Sequence, residues 1–336
     1  MPTSLVTGGA GFIGSHVADE LLALGHKVVV LDDLSGGFED NVPKESTFVR
    51  GSILDHELID RLFDRHHFTY VYHLAAYAAE GLSHFIKRFN YENNLIGSVN
   101  LINASINHKV KCFVFTSSIA VYGAGQSPMS EEMIPMPEDS YGIAKLAVER
   151  ELKVSQEMFG LDFVIFRPHN VYGERQNIGD RYRNVVGIFM NQLMKGEAMS
   201  IFGDGTQQRA FTHIRDVAPI IAACVDFDAA NNELFNVGAD VPYTVNELAQ
   251  VVADAMGKKR EVIHLDPRNE VKIAFSDHSR AEKVFGKRNK TSLEAGIRTM
   301  AEWVKVHGAR ESSVFENIEI AKKLPKSWAN VTRVRA

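Results

Sequence analysis

The chain has 336 residues, of which 45% are hydrophobic and 24% charged, with a net charge of −5 at neutral pH. That is enough apolar material for one large α/β unit or two packed domains, and the acidic balance argues against a nucleic-acid surface. Cys112 and Cys224 both sit in apolar runs and read as free thiols of a reducing compartment; no apolar run reaches membrane-spanning length, and the N-terminus enters a strand without a signal-peptide pattern, so a cytoplasmic protein with no membrane partner is expected.

Residues 4–7 form a short apolar strand that runs into Gly8-Gly9-Ala10-Gly11-Phe12-Ile13-Gly14. A helix follows, with Val17, Leu21, Leu22 and Leu24 as its apolar stripe and Gly25 as its stop. A second strand, 27–31, ends at Asp32-Asp33. In such a β-α-β unit Gly8, Gly11 and Gly14 let the backbone approach a pyrophosphate at the positive end of the helix. Asp32 stands where a carboxylate accepts from an adenosine ribose hydroxyl and repels a phosphate, so NAD is expected rather than NADP.

The alternation continues with a strand at 47–50, a helix at 55–65 and a strand at 69–74, which ends in Ala75-Ala76. Small residues beside Leu74 leave room for a cofactor at that strand end. A long helix at 85–108 is predicted to bury Leu95, Ile96, Val99, Leu101 and Ile102. Strands at 111–116 and 161–166 end in Thr116-Ser117-Ser118 and Arg167-Pro168-His169-Asn170. Strands alternating with helices of this length predict a doubly wound parallel sheet, with ligands off the carboxyl ends of its strands.

Between the last two strands stands Tyr141-Gly142-Ile143-Ala144-Lys145. Residues four apart share a helix face, so a phenol sits beside an ammonium. A free tyrosine has a pKa of about 10, and a cation within a few Å lowers it by about 1–3 units. The pair is a candidate acid/base device for an alcohol proton, and Ser118 can hydrogen-bond the same oxygen.

Beyond residue 171 the alternation loosens. A polar loop at 173–184 holds Arg175, Arg181 and Arg183; a helix at 185–194 and a strand at 199–202 lead into Gly203-Asp204-Gly205. A helix at 217–225 returns toward the first unit, and a strand follows at 234–238. Thr244 and Glu247 form a capping box for a helix that runs to Met256 and stops at Gly257. The stretch 261–277 carries Arg268, the last helix spans 292–306, and the basic tail 325–336 is expected to fray. The division expected is a dinucleotide-binding unit at 1–170, joined by segments around 210–238, and a smaller α/β substrate unit at 171–336. The 13 histidines show no metal-ligand spacing, so no metal site is expected.

Several of these stretches, in this order, resemble the extended short-chain dehydrogenase/reductase family, and within it the nucleotide-sugar epimerases and dehydratases. The matching pieces are the 7–16 segment, His73-Leu74-Ala75-Ala76, Thr116 through Gly123, Tyr141 through Lys145, Arg167 through Gly173, and Gly203-Asp204-Gly205. The resemblance implies Tyr141 as base, Lys145 as holder of the nicotinamide ribose and depressor of the tyrosine pKa, and Ser118 as third member. It also implies Asn94 near cofactor and tyrosine helix, Asn170, Arg209 and Arg268 on the sugar diphosphate, and the loop bearing Arg183 over the substrate. Many relatives hold adenine with Asp-Ile or Asp-Leu after the third strand; Ser52-Ile53 here implies a weaker contact. Ala274 takes the position of a size gate at the sugar C2. Dehydratases carry Asp-Glu where this chain has Ile119-Ala120, which cannot exchange protons. The implied activity is therefore NAD-dependent 4-epimerisation of a nucleotide sugar through a transient 4-ketone, most simply UDP-glucose and UDP-galactose. UDP-N-acetylhexosamine or uronate epimerisation and dehydration are alternatives on the same scaffold, and a non-catalytic NAD sensor is an alternative of another class. A homodimer through the helices before the fifth and sixth strands is also implied.

Overall fold

The computed structural model describes residues 1–124, 127–180, 182–267, 271–288, 290–308, 315, 317–325 and 328. The first half runs β1 (Thr3–Thr7), α1 (Phe12–Ala23), β2 (Lys27–Asp32), β3 (Thr47–Arg50), α2 (His56–His66) and β4 (Tyr70–His73). Next come α3 (Glu80–Ser83), α4 (Lys87–Tyr91), a π-helical turn (Glu92–Ile96), α5 (Gly97–Asn107), β5 (Cys112–Thr116), α6 (Ser140–Phe159) and β6 (Asp162–Pro168). The second half contains β7 (Val171–Tyr172), α7 (Val185–Met194), β8 (Met199–Phe202), β9 (Gln208–Ala210), β10 (Thr212–His213), α8 (Ala218–Ala223) and β11 (Glu233–Val237). It closes with β12 (Pro242–Thr244), α9 (Val245–Met256), β13 (Val262–Leu265), β14 (Ile273–Ala274), α10 (Ser279–Phe285) and α11 (Leu293–His307).

Seven parallel strands form the main sheet in the order β11-β6-β5-β4-β1-β2-β3. The strand order reverses at β1, between β2 and β4, and that switch point opens a crevice at the carboxyl ends. Both faces of the sheet are covered, which is why its strands are apolar throughout. On one face Val17 and Leu21 of α1 pack with Ile221 and Ala222 of α8; on the other Phe63, Leu101, Val148 and Leu152 pack with Leu5, Val71 and Phe113. A separate core joins α7, α9 and α11 through Phe189, Leu248, Val252, Ile297 and Met300. The doubly wound sheet predicted from the alternation is present, with β11 added beside β6. Cys112 and Cys224 are buried free thiols. Among the described residues no helix is long and apolar enough to cross a membrane, and no cluster of three histidine, cysteine or carboxylate side chains is arranged for a metal.

The single helix predicted at 85–108 is instead α4, a π turn and α5. The π turn holds one residue more than an α turn and shifts the helical phase of the residues after it. Ile96, expected in the core, is consequently 50% exposed, while Asn94 is buried. The tail also departs from expectation: Trp328 is buried, although 326–327 and 329–336 lie outside the described residues. Strands β13 and β14 and helix α10 were not legible as elements, being short and without clear periodicity.

The capping box at α9 is complete: Glu247 N–H donates to Thr244 Oγ1 at 3.1 Å, and Thr244 N–H donates to Glu247 Oε2 at 2.7 Å. Thr244→Ala should lower unfolding free energy by about 1 kcal/mol, measured as a shift of the denaturant midpoint.

Candidate active site

The helix that carries the tyrosine begins where it does because Asp139 caps it, its Oδ1 accepting from Gly142 N–H at 2.8 Å. It ends at Gly160, which takes the left-handed conformation at φ 75°. Its inward face presents Tyr141, Lys145 and Glu149, one turn apart and all buried. Ser118 ends the β5 loop and caps a short 3₁₀ turn, accepting from Ala120 N–H at 3.1 Å. The helix crosses this turn so closely that a Cβ on Gly142 would lie 2.6 Å from the Ala120 carbonyl oxygen. Glycine is required there, and the approach brings the Ser118 side chain near enough to the Tyr141 hydroxyl to favour its ionised form.

Lys145 Nζ donates to the Thr116 carbonyl at 2.9 Å, 4.7 Å above the Phe115 ring and 5.7 Å from the Tyr141 ring centre. Burial lowers its pKa to about 7, against the opposing field of Glu149. Glu149 itself accepts from Ser117 Oγ at 2.5 Å and from Arg167 Nε at 2.9 Å. Arg167 lies over the Tyr122 ring, and Tyr122 donates to Asn236 Oδ1 at 2.8 Å. The expected net depression of the tyrosine pKa is corrected here: burial raises Tyr141 above its ordinary value, opposed by the nearby Ser118 hydroxyl, reinforced by Glu80 and Asp139, with Arg183 opposing. The ammonium sits beneath the ring, on the strand-end carbonyl, rather than at the phenol oxygen.

Thr116, Ser117, Ser118, Tyr141 and Lys145 line one cavity of about 600 Å³ that runs from the β1–α1 turn to β9 and β14. At one end are Gly8, Gly11, Phe12, Ile13, Gly14, Asp32, Asp33, Leu74, Ala75 and Ala76. A Cβ on Gly14 would lie 2.1 Å from the Gly8 carbonyl oxygen, and one on Gly8 would lie 2.7 Å from Ala75 N, so only glycines make this cradle. Asp32 is buried and accepts from Ala10 N–H at 3.0 Å and Leu34 N–H at 2.8 Å; burial raises its pKa despite those bonds. Thr116 Oγ1 and Gln176 Oε1 are buried in the wall without a hydrogen-bond partner among the described residues. A glycine cradle at a helix N-terminus, a ribose-height carboxylate and unpaired wall oxygens fit a dinucleotide.

Several predicted residues lie elsewhere or play another part. Ser52 does not face the cavity: its hydroxyl accepts from Leu54 N–H at 3.2 Å, and Gly51 and Ile53 form the wall around it. Asn94 is behind the wall, accepting from Tyr77 N–H at 2.8 Å and donating to the Tyr77 carbonyl at 3.2 Å; Asn93 faces the cavity instead. Asn170 lines it from a left-handed backbone at φ 42°. Arg209 lines it from β9, donating to the Gln208 carbonyl at 2.8 Å. Arg183 is ion-paired with Asp180, lies 4.9 Å above the Tyr77 ring and reaches the Gly36 loop. Arg268 and Arg181 lie outside the described residues. Glu149, Asn93, Gln176 and Tyr182 were missed. Only the Gln176 and Tyr182 loop had a sequence signal, its polar composition next to Asn170.

The chain matches the model of the NAD dependent epimerase/dehydratase family over residues 4–238. It is 34% identical over 308 residues to a UDP-glucose 4-epimerase of Mycolicibacterium smegmatis, across 89% of this chain and 97% of that one. The crystal structure of a UDP-glucose 4-epimerase from Thermotoga maritima with UDP-glucose superposes with a TM-score of 0.87 at 36% identity, covering 90% of this chain and 99% of the other. A UDP-glucuronic acid 4-epimerase from Bacillus cereus in complex with UDP-glucuronic acid and NAD gives a TM-score of 0.83 at 28% identity, covering 90% and 99%.

Lys145 should leave a signature in the stability of the NAD-free protein. With its folded pKa near 7 and an unfolded value of about 10.4, the unfolded chain binds the extra proton between those limits. The burial penalty is full below pH 7 and relieved as pH rises, adding up to about 1.4 kcal/mol of stability per pH unit. Lys145→Met should remove that rise in a comparison of denaturant midpoints from pH 7 to 10.

Proposed function

The chain belongs to the NAD-dependent epimerase/dehydratase family, and from that premise we propose that it inverts C4 of a UDP-sugar, UDP-glucose and UDP-galactose being the simplest pair. The observation that carries this reading is the Ser118–Tyr141–Lys145 set, its tyrosine and lysine buried, in the wall of a cavity whose two ends suit a dinucleotide and a second polar ligand. We assign the dinucleotide to the unit at 1–170 with the returning segments around 210–238, and the sugar nucleotide to the remainder.

NAD would rest on the cradle of Gly8, Gly11 and Gly14, with its adenosine ribose on Asp32; when bound it supplies a reversible two-electron acceptor and a positive charge at its nicotinamide ring. Tyr141 takes the proton of the sugar 4-hydroxyl as that carbon is oxidised to a ketone, and returns it after the ketone has presented its other face. Ser118 holds the same oxygen through both half-reactions. Lys145, with one donor spent on Thr116, keeps two for the nicotinamide ribose and places its charge below the phenol. Asn170, Arg209 and Arg183 hold the sugar nucleotide, since planar guanidinium groups suit phosphate oxygens. Ile119 and Ala120 line the cavity beside Ser118 and carry no exchangeable proton, which favours inversion over dehydration.

A second reading, UDP-N-acetylhexosamine, rests on Ala274. Its methyl group lines the cavity beside Arg209 in the β9–β14 register and leaves space for an acetamido group. We further propose a cytoplasmic homodimer. Ile143, Val154 and Met158 stand exposed along one stripe of α6, near exposed Ile96 of the π turn.

Incubation with UDP-galactose should give UDP-glucose of unchanged mass, followed by proton NMR and mass spectrometry; a product lighter by one water would point to dehydration. Tyr141→Phe should lower kcat by about 10²–10⁴-fold, and near-normal turnover would remove the assignment. Sedimentation should give about twice the 37.4 kDa of one chain, and Val154→Glu should return it to the monomer.

A further inference from the structure

Phe315, residues 317–325 and Trp328 lie against the wall of the cavity. Phe315 packs its ring against Tyr77 at 5.5 Å and edge-on against Phe89 at 4.9 Å. Trp328 lies edge-on to Tyr182 at 5.2 Å and to Phe85 at 6.3 Å. Between them the Glu319 and Ile320 N–H groups donate to the Phe85 carbonyl at 2.9 and 3.1 Å. The Glu319 carboxylate accepts from Arg88 N–H at 2.8 Å and from Phe89 N–H at 3.0 Å. The matched family model stops at residue 238, well short of this segment.

The Glu319 contact meets a need that is local to α4. That helix opens a helical run continued by the π turn and α5, and its first N–H groups have no partner within the run. Its N-cap is Ile86, which has no side-chain oxygen and makes no cap. Glu319 supplies the missing acceptors and a negative charge at the positive end of the helix, from 231 residues away.

What α4 carries links this cap to the tyrosine. Asn90, fully buried, donates to the Ser140 carbonyl at 2.8 Å, one residue before Tyr141. Its Oδ1 accepts from Asn94 Nδ2 at 2.8 Å, and Asn94 in turn grips both backbone groups of Tyr77. Tyr77 supports the Arg183 guanidinium, and Tyr77, Phe89 and Tyr182 all line the cavity. We propose that Phe315, Glu319 and Trp328 act as a strap that sets the start of the tyrosine helix and backs the cavity wall at Tyr77, Phe89 and Tyr182, as positioning residues. The inference rests on the proposed roles of NAD and Tyr141 but not on the identity of the sugar.

The full-length Glu319→Ala and Phe315→Leu proteins test it. NAD retained through gel filtration, measured by mass spectrometry after denaturation, should fall at least threefold, and kcat about tenfold, at thermal midpoints close to the parent's. Glu319→Gln, which keeps one acceptor, should recover part of both losses. NAD content and kcat within twofold of the parent in both variants would overturn the proposal. Should a variant fail to fold, Trp328 reports directly: it is one of two tryptophans, and in a Trp303→Phe background its emission should shift when UDP is added. Unchanged emission at saturating UDP would also overturn it. NAD retention and emission are read without turnover, so a parent inactive on UDP-galactose would sink the sugar assignment while leaving the strap to be judged by these two measurements.

Discussion

An ammonium group buried almost completely, with one carbonyl as its direct partner, is the constraint around which this protein is arranged. Lys145 is 2% exposed and donates to the Thr116 carbonyl at the end of β5. Removing such a charge from water is expensive unless polar groups replace the water. The replacements come from the carboxyl end of β5 and from α6: the Thr116 carbonyl, the field of Glu149 one turn along the helix, and the rings of Phe115 and Tyr141. The carboxylate is not spent on the lysine. It is held by Ser117 and Arg167, which leaves the remaining donors of the ammonium for whatever enters the cavity.

That arrangement is embedded in a buried polar network, which makes the geometry of the site a property of the core. Arg167 on β6 joins Glu149 on α6 to the ring of Tyr122, and Tyr122 reaches Asn236 on β11. Asn236 continues outward, donating to the Met129 carbonyl at 3.1 Å and, through its backbone, to Glu131 at 2.7 Å. The loop after Ser118 is thus tied to the last strand of the sheet. Arg167 Nη1 is the one buried side-chain atom of this network left without a hydrogen-bond partner among the described residues; the other contacts restrain each member through its neighbours, so the hydroxyls at the site meet substrate already oriented.

The two ends of the cavity are built differently. The cofactor end is mostly backbone: glycine turns, small residues at strand ends and one carboxylate. The other end is made of longer side chains on short strands and loops, among them Arg183 paired with Asp180. Backbone construction suits a ligand that stays in place. Loop construction suits one that must enter, turn over and leave.

The sequence by itself determined the fold class, since a glycine-rich first turn, an acid ending the second strand and apolar strands alternating with amphipathic helices admit only a doubly wound parallel sheet. It also determined which groups stand at the strand ends, because a strand's carboxyl terminus is visible as the point where an apolar run meets polar or small residues. Tertiary structure alone decided that burial raises the Tyr141 pKa, that Asn93 and not Asn94 faces the cavity, that Ser52 turns away, and that Glu319 caps a helix 231 residues before it. Each of these depends on burial or on the distance between residues remote in sequence. Periodicity encodes which face of an element is apolar, and it carries no record of which other element comes to lie against it.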